Sequence, residues 1–162
     1  MATFRVVEAD LEQAGDAQVV LDLVDDYSQD PFGDGRPLLP ETRRTLIDGL
    51  RSHPTTIILI AYVEDRPAGI AVCFRGFSTF AAKPLLNIHD FSVRPGFRGQ
   101  RVGQRLMEAV EHKARELGCC KLTLEVLESN TRARRVYAGA GFAGEPVGGL
   151  PGSTLFLSKR LC

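Results

Sequence analysis

Residues 87–117 read NIHDFSVRPGFRGQRVGQRLMEAVEHKAREL, and three kinds of local structure succeed one another within them. Ile88 to Val93 is short and mostly apolar, which predicts a buried strand, and Pro95-Gly96 turns the chain. Arg98 to Gly103 is a basic loop with glycine at 99 and 103. Val102, Leu106, Ala109, Val110, Ala114 and Leu117 then recur at helical spacing, and Gly118 supplies a stop. A loop that opens directly into a helix aims several unpaired N–H groups at one point, where the helix dipole also favours negative charge. Gly99 and Gly103 let an anion approach that backbone, while Arg98 and Arg101 add positive charge. The prediction is a phosphate cradle of pyrophosphate size. Neither G-x-x-x-x-G-K-[ST] nor G-x-G-x-x-G occurs, so neither a P-loop site nor a dinucleotide fold is indicated.

Upstream, Thr3 to Glu8 reads as a first strand, with Asp10 placed to cap the next segment. Val20, Leu21, Leu23 and Val24 mark a helix over 17–27. DDYSQDPFGDGRPLLP (25–40) is a loop by composition. Pro40 and Glu41 open a second helix with Thr45, Leu46 and Leu50 inward, ending near His53-Pro54. Thr56 to Val63 is apolar and β-branched enough for a central strand. A turn at Glu64 to Pro67 leads to its partner, Ala68 to Phe77. Downstream, Lys121 to Val126 alternates as a strand. Asn130 starts a short helix with Ala133, Val136, Tyr137 and Ala140 on one side and Gly141 as its stop. Phe142 and Thr154 to Ser158 supply closing strands. The order βααβββαβαββ describes a single α/β domain over residues 3–160, a mixed sheet with helices on both faces.

The chain has 162 residues, enough for a real core, and equal numbers of basic and acidic side chains, 20 each. A formal net charge of zero gives no overall pull toward nucleic acid or a membrane surface. No apolar run is long enough to span a bilayer, and MATFRVVEAD lacks the features of a signal peptide. Cys73, Cys119, Cys120 and Cys162 lack metal-ligand spacing, so no metal is expected, and reduced thiols in a cytoplasmic protein are the simplest reading.

Arg98-Gly99-Gln100-Arg101-Val102-Gly103 resembles the acyl-CoA loop [RQ]-x-x-G-x-[GA] of the GCN5-related N-acetyltransferases (GNAT). It matches at Arg98 and Gly103 and departs at Arg101, where glycine is usual. Asn130, Ala133, Val136-Tyr137 and Gly141-Phe142 are similar to that family's N-x-x-A-x-x-[LFV]-Y-x-x-x-G-F segment, at its usual separation and in its usual order. The resemblance covers roughly residues 3–160. It implies a mostly antiparallel central sheet, acetyl-CoA as cosubstrate, and a homodimer. It also implies that the backbone of Phe91, Ser92 and Val93 pairs with the pantetheine arm, that residues 98–104 including Gln100, Val102 and Gln104 hold the diphosphate, and that Asn130 bonds the arm or simply caps its helix. Because arginine prefers ordinary helical angles, Arg101 is expected to keep the cradle with its side chain outward.

The chemistry comes from the groups themselves. A primary amine is mostly protonated at neutral pH, with an unperturbed pKa of about 10.4, and only its neutral form attacks a thioester. A base must take a proton, and an acid should meet the departing thiolate. A phenol suits the acid role, and Tyr137 matches the family position for it; a tyrosine filling the core is the plain alternative. His89-Asp90-Phe91 resembles the Glu-Asp-Phe of polyamine-type members, which makes His89 or Asp90 the candidate base. Neighbours on a strand face opposite ways, so at most one is expected in the acceptor cleft. The loop carrying Asp25, Asp26, Asp30 and Asp34 is expected to wall that cleft and attract a cationic small-molecule amine, or else to be solvated surface. Acetylation of a protein N-terminus or lysine, and a non-catalytic acyl-CoA-binding module, remain open alternatives at this level.

Overall fold

The computed structural model describes residues 2–144 and 152–162. One six-stranded sheet runs β1 (Phe4–Glu8), β2 (Thr56–Val63), β3 (Arg66–Ser78), β4 (Lys83–Val93), β5 (Lys121–Leu127) and β6 (Thr154–Arg160), in spatial as in chain order. Helices α1 (Ala14–Gln29) and α2 (Pro40–Ser52) lie between β1 and β2, α3 (Val102–Glu116) between β4 and β5, and α4 (Thr131–Gly139) between β5 and β6. Every neighbouring pair is antiparallel except β4–β5, which is parallel and carries the α3 crossover.

β2 is apolar throughout because both of its faces are covered. Ile58, Ile60 and Tyr62 join Val20 and Leu23 of α1, with Ile47 and Leu50 of α2 at the margin. Leu59, Ala61 and Val63 face the other way, into the core built on Val102, Leu106, Met107 and Val110 of α3. Each α3 residue of that set is almost fully buried, which the helical spacing required. Among the described residues no helix is long and apolar enough to cross a membrane, and all four cysteines are free.

Two expectations are corrected. Among the described residues no strand forms at Phe142; the chain there makes an isolated bridge, Ala143 to Ser158. Gly141 turns sharply at φ 90°, and the backbone then lies against β6 at one antiparallel pair, Ala143 and Ser158 exchanging bonds of 3.0 and 2.9 Å. Gly144 is so close that a Cβ would lie 2.2 Å from the Phe156 carbonyl oxygen. Thr45 is exposed, not inward, its hydroxyl donating to the Glu41 carbonyl at 3.0 Å; Ile47 takes the inward place.

The parallel pairing creates the site. β4 and β5 are joined at Leu86–Leu122, Asn87–Thr123 and Ile88–Leu124 and then part. From His89 to Val93 the β5-facing edge of β4 has no ladder partner, though the strand still pairs with β3 on its other side. That wedge is open between β4, β5, α4 and the end of α1.

Candidate active site

Two cavities fill the wedge and share a wall made by Tyr27, Phe32, Phe91 and Asn130. The first, about 600 Å³, lies at the N-terminus of α3. Phe91, Ser92, Val93, Arg98, Gly99, Arg101, Val102, Gly103, Gln104 and Asn130, the residues expected to contact a cofactor, all border it. Gln100 does not, because its side-chain amide turns back to donate to the Gly96 carbonyl at 3.3 Å.

The floor of this cavity is main chain. Among the described residues none of the six N–H groups of residues 99–104 has a hydrogen-bond acceptor; the first α3 bond runs from Arg105 N–H to Arg101 O at 3.0 Å. Gly99 (φ 77°) and Arg101 (φ 61°) are both left-handed and wind the loop into the helix. The expectation that Arg101 keeps ordinary helical angles is therefore wrong. Arg101 is the N-cap of α3 and holds the left-handed conformation there, at a cost of about 1–2 kcal/mol for a residue with a Cβ. Its side chain is exposed, borders the cavity, and has no ion pair among the described residues.

Arg98 departs from its expected role. Its Nε donates to the Val93 carbonyl at 3.0 Å and its Nη2 to Asp30 Oδ2 at 2.8 Å, so its charge is already matched. Arg132 and Arg135 of α4, which sequence reasoning did not single out, join Arg101 at the cavity without ion pairs among the described residues. The residues present suit a diphosphate: unbonded main-chain N–H groups, a helix N-terminus and three arginines without an ion pair among the described residues.

The second cavity, about 470 Å³, is bordered by α1, the loop after it, the middle of β4, the end of β5 and Tyr137. His89 and Asp90 both border it, against the expectation that only one would. A β-bulge is the reason. Val72 pairs with Asp90 and Cys73 with Ile88, so His89 is the extra residue and strand alternation fails there. His89 is exposed, its ring edge-on to Phe74 at 5.5 Å. Asp90 is largely enclosed, and among the described residues no hydrogen bond or ion pair reaches its carboxylate. Burial pushes the Asp90 carboxyl above its ordinary value, offset in part by His89.

Tyr137 is 5% exposed, held between the rings of Phe91 at 5.8 Å and Phe142 at 5.9 Å. Burial, helped by Tyr27, pushes its phenol well above the ordinary tyrosine range, so it stays protonated. Its hydroxyl, too, lacks a partner among the described residues. Asn130 caps α4, its Oδ1 accepting the Ala133 N–H at 3.2 Å. Tyr27 is a group the sequence reading passed over. It continues the Val20–Leu23–Val24 face of α1 at helical spacing, which looks like core, yet it reaches both cavities. Burial, then Asp90, then Asp30 raise its phenol.

The four acids are mostly spoken for, and Asp25 and Asp26 lie in α1, which runs on to Gln29, rather than in the loop expected from residue 25. Asp25 accepts the Leu38 N–H at 2.7 Å and pairs with Arg43 at 2.7 Å. Asp26 pairs with Arg94 at 2.7 Å. Asp30 accepts the Phe32 N–H at 2.9 Å beside its bond to Arg98. Burial would raise Asp30, but those two donors outweigh it and hold the carboxyl below its ordinary range. Of the four acids only Asp34 borders the acceptor cavity without a partner among the described residues.

A splayed parallel pair, a donor-rich loop into α3 and a buried phenol on α4 define a class, and comparison with known proteins agrees. The model of the acetyltransferase (GNAT) family matches residues 20–142. The chain belongs to this family and is an acyltransferase. Thialysine N-epsilon-acetyltransferase of Bos taurus is 27% identical over 150 residues, covering 87% of this chain and 85% of that protein. The crystal structure of a probable acetyltransferase superposes with a TM-score of 0.76 at 25% identity, covering 87% of this chain and 91% of the other. A Thermoplasma acidophilum N-acetyltransferase solved in complex with coenzyme A shares the fold at a TM-score of 0.69 and 15% identity, covering 98% of this chain and 99% of its own.

Proposed function

We propose that this protein transfers the acetyl group of acetyl-CoA to a primary amine of a small molecule by direct attack on the thioester. The carrying observation is the run of six unmatched N–H groups at residues 99–104, opening beside the cavity that holds Asp90 and Tyr137. In this reading the 99–104 amides and Arg101 grip the diphosphate, and the free edge of β4 at Phe91 to Val93 pairs with the pantetheine amides as an added strand would. The thioester then reaches the shared wall at Phe91 and Asn130.

Asp90 is a carboxylate in an enclosed place with no cation of its own, which suits it to receive a substrate ammonium. It takes one proton from the ammonium, and the freed lone pair forms the C–N bond as the C–S bond breaks. The second proton the nitrogen sheds on becoming an amide restores the Tyr137 phenol after that group has protonated the sulfur. Tyr137 donates its proton to the departing thiolate; a phenol held protonated by burial is matched to that task. His89, at the exposed rim, is assigned to carrying protons between Asp90 and solvent. The Bos taurus relative supports an amine on a small molecule, since thialysine is one. The reading includes the single domain over 3–160, the cytoplasmic location and the homodimer expected from the family resemblance.

The test is a panel of amines, thialysine included, assayed with acetyl-CoA for free thiol release. Tyr137→Phe should keep CoA affinity by calorimetry while lowering turnover at least tenfold. Turnover equal to wild type would remove the acid role, and absence of CoA binding by the unmodified protein would remove the whole reading.

A further inference from the structure

We propose that Asp30 is a positioning residue that couples the two cavities, so that gripping the cosubstrate through residues 98–104 and setting the wall of the acceptor cavity become one event. The inference rests on the proposed acetyl transfer and adds to it a pairing between remote parts of the chain.

Asp30 is the C-cap of α1, its N–H donating to the Tyr27 carbonyl at 3.0 Å. Its two carboxylate oxygens do different work. Oδ1 accepts the Phe32 N–H and so fixes the first turn of the acceptor loop. Oδ2 accepts from Arg98, whose Nε donates to the last carbonyl of β4, at Val93. A continuous path therefore runs from the acceptor loop through Asp30 and Arg98 to the base of the phosphate cradle. The ion pair is 16% exposed at Asp30 and 28% at Arg98, so it is less screened than the outlying Arg5–Asp65 pair at 45% and 89%.

The rest of the acceptor loop is tied to the end of α1 that Asp30 caps, so holding Asp30 holds the loop with it. Ser28 Oγ donates to the Arg36 carbonyl at 2.8 Å, and Asp25 takes the Leu38 N–H. Gly33 lies so near the helix end that a Cβ there would be 2.3 Å from the Tyr27 carbonyl oxygen. Gly33, Asp34 and Leu38 border only the acceptor cavity, whereas Arg98 borders only the cosubstrate cavity. A second pair, Asp26 to Arg94, makes the same 68-residue span one helical turn away. It sets the register of α1 against β4 but borders neither cavity. Of these two pairs only Asp30–Arg98 reaches a cavity of the site, and only Asp30 also holds the Phe32 turn.

A bond that each ligand tightens is a coupling free energy, and coupling is reciprocal. When the 99–104 amides close on a diphosphate, Arg98 is held at its base, Asp30 is held by Arg98, and the Phe32 turn is held by Asp30. The wall of the amine cavity is then set by the cosubstrate, and an amine bound there favours the cosubstrate by the same factor.

Amide hydrogen exchange of the full chain, with and without CoA, tests this in wild type and Asp30→Asn. In wild type CoA should slow exchange in 99–104 and also in 33–38. In Asp30→Asn it should still slow 99–104, with CoA affinity about tenfold weaker, and leave 33–38 unchanged. Equal protection of 33–38 in both proteins, or none there in wild type, overturns the coupling while leaving CoA binding intact. No protection of 99–104 in wild type overturns the cosubstrate reading and this inference with it. If Asp30→Asn melts too low to measure, Asp30→Glu, which keeps the charge one methylene away, decides: protection of 33–38 between zero and wild type supports the coupling, and full wild-type protection rejects it.

Discussion

The cosubstrate cavity and the acceptor cavity share a wall and are built on opposite plans. The first is mostly one contiguous stretch, Phe91 to Gln104, and its working groups are main-chain amides aimed by two left-handed residues. The second gathers side chains from α1, its loop, β4, β5 and α4, and its working groups are a carboxylate and two phenols. Amides cannot be mutated away, so the first site yields to changes of backbone angle and little else. Side chains can be replaced singly, so the second is vulnerable one residue at a time.

The largest effect is expected at the acceptor side. Asp90→Asn should lower kcat/KM by about a hundredfold or more, as removal of a general base does, with CoA affinity by calorimetry unchanged. In the unmodified protein the acidic limb of kcat/KM should lie above the ordinary carboxylate value of 3.8, since burial raises this group. Stability should move the other way. A carboxyl whose folded pKa exceeds its unfolded one contributes fully below the unfolded value and loses that contribution as pH rises through the folded one. Asp90→Asn should therefore melt higher than wild type at neutral pH and lose that advantage near about pH 4. Equal melting at both would show that the carboxylate is not enclosed.

On the cosubstrate side a medium effect is expected from geometry alone. Gly99 has a φ of 77° and open space around it, so Gly99→Ala changes only the cost of the angle. At roughly 1 kcal/mol, CoA affinity should fall about fivefold with kcat preserved. Gly35, at φ 70° and equally open, is the matched control in the acceptor loop; Gly35→Ala should leave CoA affinity where it was. Identical losses from both substitutions would erase the contrast between the cavities.

The smallest effect should come from Asp34. Its three acidic neighbours are consumed by Arg43, Arg94 and Arg98, which leaves Asp34, with Glu125 of β5, as an exposed carboxylate at the cavity to attract the amine. Asp34→Asn should raise the amine KM by about twofold at low salt and by nothing measurable at high salt. A tenfold rise would mean that Asp34 touches the substrate.

How far the chain could be read depended on how local each feature is. The buried run of β2 and the apolar stripe of α3 are statements about period, and both were legible. The cradle was legible because a loop entering a helix leaves donors unmatched whatever surrounds it. Arg101 was misjudged because a preference of one residue was weighed without the turn that overrides it. The His89–Asp90 alternation was misjudged because a bulge is a property of two paired strands and β3 supplies half of it. The four acids looked alike in sequence, yet their partners lie at Arg43, Arg94 and Arg98, beyond any local pattern. Tyr27 continued a helix face and nothing nearby marked the cavity beneath it.

Sequence by itself determined the order of the helices and main strands and the donor-rich backbone at 99–104, because hydrogen-bonding donors at a helix start are dictated by chain direction and φ/ψ. Only the tertiary structure decided which carboxylate stands enclosed and unpaired, and that Arg98 serves Asp30 as well as the cradle. Those outcomes depend on which charges meet across 68 residues of chain, and such meetings are set by the packing of α1 on the sheet.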